Sequence, residues 1–211
     1  RHLKYEDDPS QVGDTWTWVA IDADTKLIPS YRVGKRDGAE ADAFVADLAS
    51  RLRNRVQLST DGLRAYEDAI ELAWGGNVDY AQVIKEYTAE SIGPARYSPP
   101  TVKAVEKVVK VGTPDMDLAS TSYVERQNLT MRMQIRRMTR LTNGFSKKLR
   151  NHRAATALHF AHYNLVRRHQ TLRVSPAMAA GVTSDLWDMK RLLDAALASG
   201  GHEPHEEASD G

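Results

Sequence analysis

The chain has 211 residues, 41% of them hydrophobic, with a formal net charge of +1, enough apolar material for one well-packed domain of mixed structure and a small appendage. It contains no cysteine, which excludes disulfide frameworks, thiolate zinc sites and thiol nucleophiles and leaves carboxylates and imidazoles as metal ligands. No apolar run approaches the roughly 18 residues of a membrane span and no basic-then-apolar secretion signal opens the chain, so the sequence reads as that of a soluble, cytoplasmic protein.

Residues 1–14 form a polar N-terminal segment. Thr15 to Asp22 (TWTWVAID) and Leu27 to Val33 (LIPSYRV) are strand-like around a turn at Asp22-Ala-Asp-Thr25, which predicts a hairpin with its second strand at an edge because of Pro29. Trp16 and Trp18 share one face of the first strand and read as core. Asp37 with Glu40 three residues on is a capping box, and Phe44, Val45, Leu48 and Leu52 recur at helical spacing. Arg55 to Thr60 is a short strand that ends at Asp61-Gly62, followed by a helix over Leu63 to Trp74 and a strand over Val78 to Tyr87. The Pro- and Gly-rich stretch from Thr88 to Leu118 is a long loop with a short strand at Val105 to Val111. Helices follow at Ser122 to Met138, Lys147 to Arg168, a short turn after Pro176, and Ser184 to Ala198. The tail from Ser199 reads as disordered.

This order is that of an α/β domain of ribonuclease-H type: a mixed sheet flanked by helices, its first strand missing or hidden before residue 15, with a helical C-terminal part. The core spans 15–198. Such a fold sets acids at strand ends beside a helix, where hard oxygen ligands suit Mg²⁺ or Mn²⁺.

Charge divides unevenly along the chain. From Arg126 to Ser184 there are twelve Lys and Arg and no Asp or Glu, whereas residues 1–125 carry 21 acids against 15 bases. A one-signed stretch of this length repels itself unless a polyanion neutralises it, which points to nucleic acid.

Two acids stand out. Asp61 sits where a strand gives way to a helix, with Gly62 letting the backbone turn so that the carboxylate can face a ligand; the alternative is a turn aspartate capping that helix. Glu125 opens a helix three residues after Ser122, the spacing of a capping box. Against that local role, Glu125, Asn128, Arg132 and Arg136 recur on one helical face, an acid leading into an amide and two guanidiniums.

Ser-Thr-Asp61-Gly-x-x-x-Tyr, 63 intervening residues and Tyr-Val-Glu125-Arg-Gln-Asn128 before basic helices resemble the catalytic core of insertion-sequence transposases of the Asp-Asp-Glu type, the insertion-sequence-one-like family above all. Phe145-Ser-Lys-Lys148, Tyr163-Asn164-Leu-Val-Arg-Arg-His169-Gln-Thr-Leu172 and Ser175-Pro-Ala-Met-Ala-Ala are similar to the helical end of that core. The resemblance implies metal-dependent strand cleavage and strand transfer on double-stranded DNA, by a homo-oligomer on transposon ends and target, in the nucleoid of a bacterial or archaeal cell. It makes Asp61 and Glu125 ligands of Mg²⁺ or Mn²⁺ and lays Asn128, Arg132, Arg136, Lys147 and Lys148 along the DNA. The family's first acid, in an Asp-Glu-apolar-Trp strand, has no counterpart here. Glu6-Asp7-Asp8 lies in a polar run before Pro9, and Asp22 matches a hairpin-turn residue. The expectation is therefore a chain cut after its first strand and impaired in catalysis. The alternatives are a non-catalytic DNA-binding remnant and a nuclease without strand transfer. His159 and His162, three apart, read as helix packing rather than metal ligands, His169 as a phosphate neighbour or helix-end cap, and Met131, Met133 and Met138 as packing.

Overall fold

The computed structural model describes residues 15–87, 102–138, 144 and 148–199. The polar segment with Glu6, Asp7 and Asp8, the residue Lys147 and the tail beyond Ser199 lie outside these residues. The chain divides into two compact units, residues 1–21 with 29–133, and residues 22–28 with 134–211.

The first unit is mixed α/β. The expected hairpin forms between β1 (Trp16–Val19) and β2 (Tyr31–Gly34), antiparallel with Trp16 opposite Gly34. Helix α1 (Gly38–Arg51) starts where the capping pattern sets it, Asp37 accepting the Glu40 amide at 3.0 Å. The reciprocal half of the capping box is absent, because the Glu40 carboxylate pairs with Arg32 on the neighbouring strand instead. Strand β3 (Gln57–Asp61) and β4 (Asp79–Tyr87) run parallel, joined through α2 (Ala65–Trp74), and β5 (Val102–Val111) pairs antiparallel with β4. The result is a three-stranded mixed sheet in the order β3-β4-β5, flanked by helices. Helix α3 (Ser122–Gln134) follows.

Both faces of β4 are covered, which is why its first half reads as a near-continuous buried run. Leu58 and Tyr80 turn toward α1 and α2, in a core with Trp18, Phe44, Ala69 and Ile70. Trp18 stands edge-on to Tyr66 at 5.5 Å and its indole N–H donates to the Lys35 carbonyl at 3.0 Å. The opposite face, Ala81 and Val83, packs against Met116 and Ala119. Only one of the two strand tryptophans is core: Trp16, the first residue of the strand, is 48% exposed beneath the Arg36 guanidinium.

Arg55 ties the base of this sheet together, bonding the Asp79 carboxylate and the carbonyls of Gly76 and Val78. Asp79 also accepts the Thr113 amide at 2.8 Å. At Gly112 φ is +68° and an added Cβ would lie 2.2 Å from the Asp79 carboxylate, so the turn into this clamp requires glycine.

The second unit is helical, with α4 (Leu149–Ala161), a wide π-turn at His162–Val166, α5 (Pro176–Ala179) and α6 (Met189–Ser199). Phe160, Tyr163, Pro176, Ala177 and Leu192 form its buried side. The helix expected over Lys147 to Arg168 thus loses its α-register at His162, where Arg167 bonds back five residues. Within the π-turn, Asn164 takes the Ile28 N–H on Oδ1 at 3.0 Å and gives its own N–H to the Ile28 carbonyl at 2.9 Å. That two-point grip fixes residues 22–28 into this unit.

Candidate functional site

Asp61 is the last residue of β3, at the carboxyl end of a parallel strand pair, the end at which open α/β sheets bind ligands. Its Oδ1 accepts the Leu63 amide at 3.2 Å, an Asx turn that leads into α2. Among the described residues nothing donates a hydrogen bond to its Oδ2. Gly62 does not supply a left-handed turn here, since its φ is not positive; a Cβ would instead crowd the Ile84 side chain at 3.3 Å. The Tyr66 hydroxyl is pushed well up by burial first and by the Asp61 charge second.

Glu125 lies in the first turn of α3 and is half exposed. The capping box expected with Ser122 does not form. Instead Glu125 Oε1 accepts the Thr121 hydroxyl at 2.6 Å and the Lys85 ammonium, and among the described residues nothing donates to Oε2. Burial, the largest influence, acts to raise the Glu125 carboxyl, but the Lys85 and Thr121 hydrogen bonds together outweigh it and hold the group below the usual carboxylate range.

The strand register relates the two acids. Asp61 stands opposite Val83 and Lys85 is two residues beyond on β4, so all three side chains belong to the same face of the sheet. With strands ~4.8 Å apart and a rise of ~3.3 Å per residue, the Cα atoms of Asp61 and Lys85 are about 8 Å apart. By register, then, Asp61 and the lysine that holds Glu125 belong to one sheet face. The segment that brings Glu125 there is anchored by Gln57 on the same face, whose side-chain amide donates to the Asp115 carbonyl at 2.8 Å and accepts the Asp115 N–H at 2.7 Å.

Each acid therefore has one oxygen pinned by the protein and one left to act. Pinned carboxylates with a free oxygen are suited to a hard divalent cation. Among the described residues no group of three or more His, Cys, Asp or Glu converges on such a site. Asp22 does not complete it. Its carboxylate closes the hairpin turn, accepting the Asp24 amide and the Thr25 hydroxyl, both at 2.9 Å.

Compared with family models, curated proteins and solved structures, the chain matches none. No described helix is long and apolar enough to cross a membrane.

Asn128 follows one turn after Glu125, half-buried, its Oδ1 buried without a partner, and Arg132 is exposed in the last turn. The one-faced run ends there. Helix α3 stops at Gln134, and Arg136 stands exposed in a 3₁₀ turn, Arg136–Met138, of the second unit. Lys148 is the exposed N-cap of α4 and makes no capping hydrogen bond; Arg150 is exposed within the first turn, which carries no acid.

His159 packs edge-on to Phe160 at 5.2 Å and is pushed down to about 4 by burial first, then by His162 and Arg167. His169 is neither helix cap nor part of a helix; it closes the 169–174 loop through Val174 and Thr171. Met131 is core, whereas Met133 is 77% exposed, on the opposite side of the helix.

Sequence reasoning missed Lys85 and Thr121. Lys85 had a signal: in Ala81-Gln-Val83-Ile-Lys85 the strand alternation puts a lysine on the same face as two buried apolar residues, and an inward charge requires a partner. Thr121 gave no sign, since Ser120, Thr121 and Ser122 are equivalent candidates until the helix start is known.

Proposed function

We propose that this chain is a DNA-transposition core of the integrase type, with a ribonuclease-H-like fold, acting on double-stranded DNA. The observation that carries the reading is that Asp61 and Glu125, separated by 63 residues, are linked through the β3-β4 pair, Asp61 opposite Val83 and Glu125 on Lys85 two residues further, each with a carboxylate oxygen that accepts no hydrogen bond among the described residues.

The strand pattern supports the same reading. Among the described residues β1 pairs only with β2, and β3 only with β4, yet Trp18 and Leu58 belong to one core beneath α1 and α2. Asp61 Oδ2 and Glu125 Oε2 are the ligand oxygens, with the Leu63 N–H and the Thr121 hydroxyl fixing their orientation. A bound Mg²⁺ or Mn²⁺ would activate the attacking oxygen and stabilise the leaving one. Asn128 and Arg132 lie along the same helix toward the phosphates.

The acid-free stretch from Arg126 to Ser184 supports DNA as the partner. A cationic first turn opposes the helix dipole of α4 by some tenths of a kcal/mol per charge, and a phosphate at Lys148 and Arg150 would reverse that penalty. Arg136 and Lys147 belong to the same acid-free stretch of the sequence. The incomplete acid set among the described residues favours a second reading, a DNA-binding module without catalysis.

Incubation of the purified chain with duplex DNA and Mg²⁺ separates them. Strand cleavage that disappears in Asp61→Asn supports the catalyst. Binding without cleavage fits both the impaired core and the module, and Mn²⁺ binding that Asp61→Asn and Glu125→Gln each weaken then supports the core, whereas no Mn²⁺ binding supports the module. Failure to bind duplex DNA at about 0.1 M salt, where a basic protein should retain phosphate contacts, removes both.

A further inference from the structure

The Lys85–Glu125 pair has a role beyond holding α3 on the sheet. Lys85 projects from the face of β4 that also carries Ala81 and Val83, and its side chain is only 20% exposed, against 51% for Glu125. Its ammonium and the Thr121 hydroxyl both engage Oε1 of Glu125. The lysine is thus the shielded partner, inserted between the sheet and the carboxylate, and among the described residues no other acid bonds it.

We infer that Lys85 is a built-in counter-ion that competes with a divalent cation for Glu125. The inference rests on the site proposed above and adds a regulation of it. A divalent cation lies ~2.1 Å from a ligand oxygen and an ammonium ~2.8 Å from its acceptor, so even on the two different oxygens of one carboxylate they are no more than about 7 Å apart. At that distance, with the lysine shielded from solvent, like charges repel strongly. Cation binding therefore requires Lys85 to swing away or to tolerate that repulsion, and in either case the ion pair weakens the site. In return, the lysine neutralises the carboxylate when no cation is present and keeps α3 against β4. A purely structural lysine would behave in the opposite way: its loss would loosen Glu125 and weaken the site.

The test is the Mn²⁺ dissociation constant of the full chain, read from the electron paramagnetic resonance signal of free Mn²⁺, for the wild type, Lys85→Met, Lys85→Arg, and Lys85→Met combined with Glu125→Gln. Lys85→Met should bind about tenfold more tightly, the scale of one partly shielded charge pair. Lys85→Arg, which keeps the cation, should stay near the wild type, and the double variant should show no gain. Equal or weaker binding by Lys85→Met, with the wild type still binding, overturns this inference and leaves the proposed site standing. If neither protein binds Mn²⁺ at millimolar concentration, the cation site itself is withdrawn and the competition with it.

Discussion

Asn164 grips a buried backbone residue at two points, and its replacement isolates the worth of that grip. The Ile28 N–H and carbonyl are bonded to the Asn164 amide at 3.0 and 2.9 Å, and Ile28 is 3% exposed. Asn164→Ala leaves a buried donor and a buried acceptor unpaired, each costing ~1–3 kcal/mol; since the bonds are only partly buried, the expected loss is about 2–4 kcal/mol. Asn164→Asp separates the two contacts. An ionised carboxylate still accepts the Ile28 N–H, but its second oxygen faces the Ile28 carbonyl, whereas the protonated form donates to it. The folded state then raises the pKa of the introduced carboxyl, so this variant should be nearest to wild-type stability at low pH and lose ground as pH rises through that folded value. Urea unfolding followed by tryptophan fluorescence reads both, with Trp187, whose backbone N–H donates to the Leu165 carbonyl in the same unit, as a nearby reporter. A loss below about 0.5 kcal/mol for Asn164→Ala, or a pH trend of the opposite sign, would refute the two-point grip.

Asp79 is held down to about 2 by the Arg55 guanidinium first and the Thr113 amide second, so its contribution is complete above the unfolded carboxylate range and is lost as pH falls toward about 2; Asp79→Asn should flatten acid unfolding of the first unit in that window. His159 is depressed to about 4, mainly by burial, so stability should decline as pH falls from the free-histidine value toward about 4, and His159→Phe should remove that slope. For duplex DNA, Lys148→Ala and Arg150→Ala should each reduce the slope of log affinity against log salt by about one if each contacts a phosphate; an unchanged slope excludes that residue from the interface.

Elements whose start is set by local chemistry were legible in the sequence. Asp37 does cap α1, the Trp-rich hairpin forms, and the strand before Asp61-Gly62 ends at Asp61. Features decided by distant partners were not. The break of α4 into a π-turn depends on Asn164 reaching Ile28, 136 positions away, and nothing in the helical periodicity around Asn164 encodes it. The face expected to run from Glu125 to Arg136 stops at Arg132 because α3 ends at Gln134, and periodicity locates such ends poorly. Strand alternation puts Trp16 and Trp18 on one face and does not show that only Trp18 is buried. Within the candidate site, the two acids could be picked out as residue types at structural junctions. The sheet face shared by Asp61 and Lys85 follows only from the β3-β4 register, and the lysine between the sheet and Glu125 only from the packing of α3.

The most direct test of a cation site common to the two acids is Mn²⁺-induced broadening of backbone amide resonances. Titrating the full chain should broaden the signals of residues 61–63 and 121–126 together, over the same concentration range, and Asp61→Asn should relieve both sets at once. Broadening confined to one of the two segments, or an Asp61→Asn substitution that leaves the Glu125 region still responding as in the wild type, would contradict a common cation site.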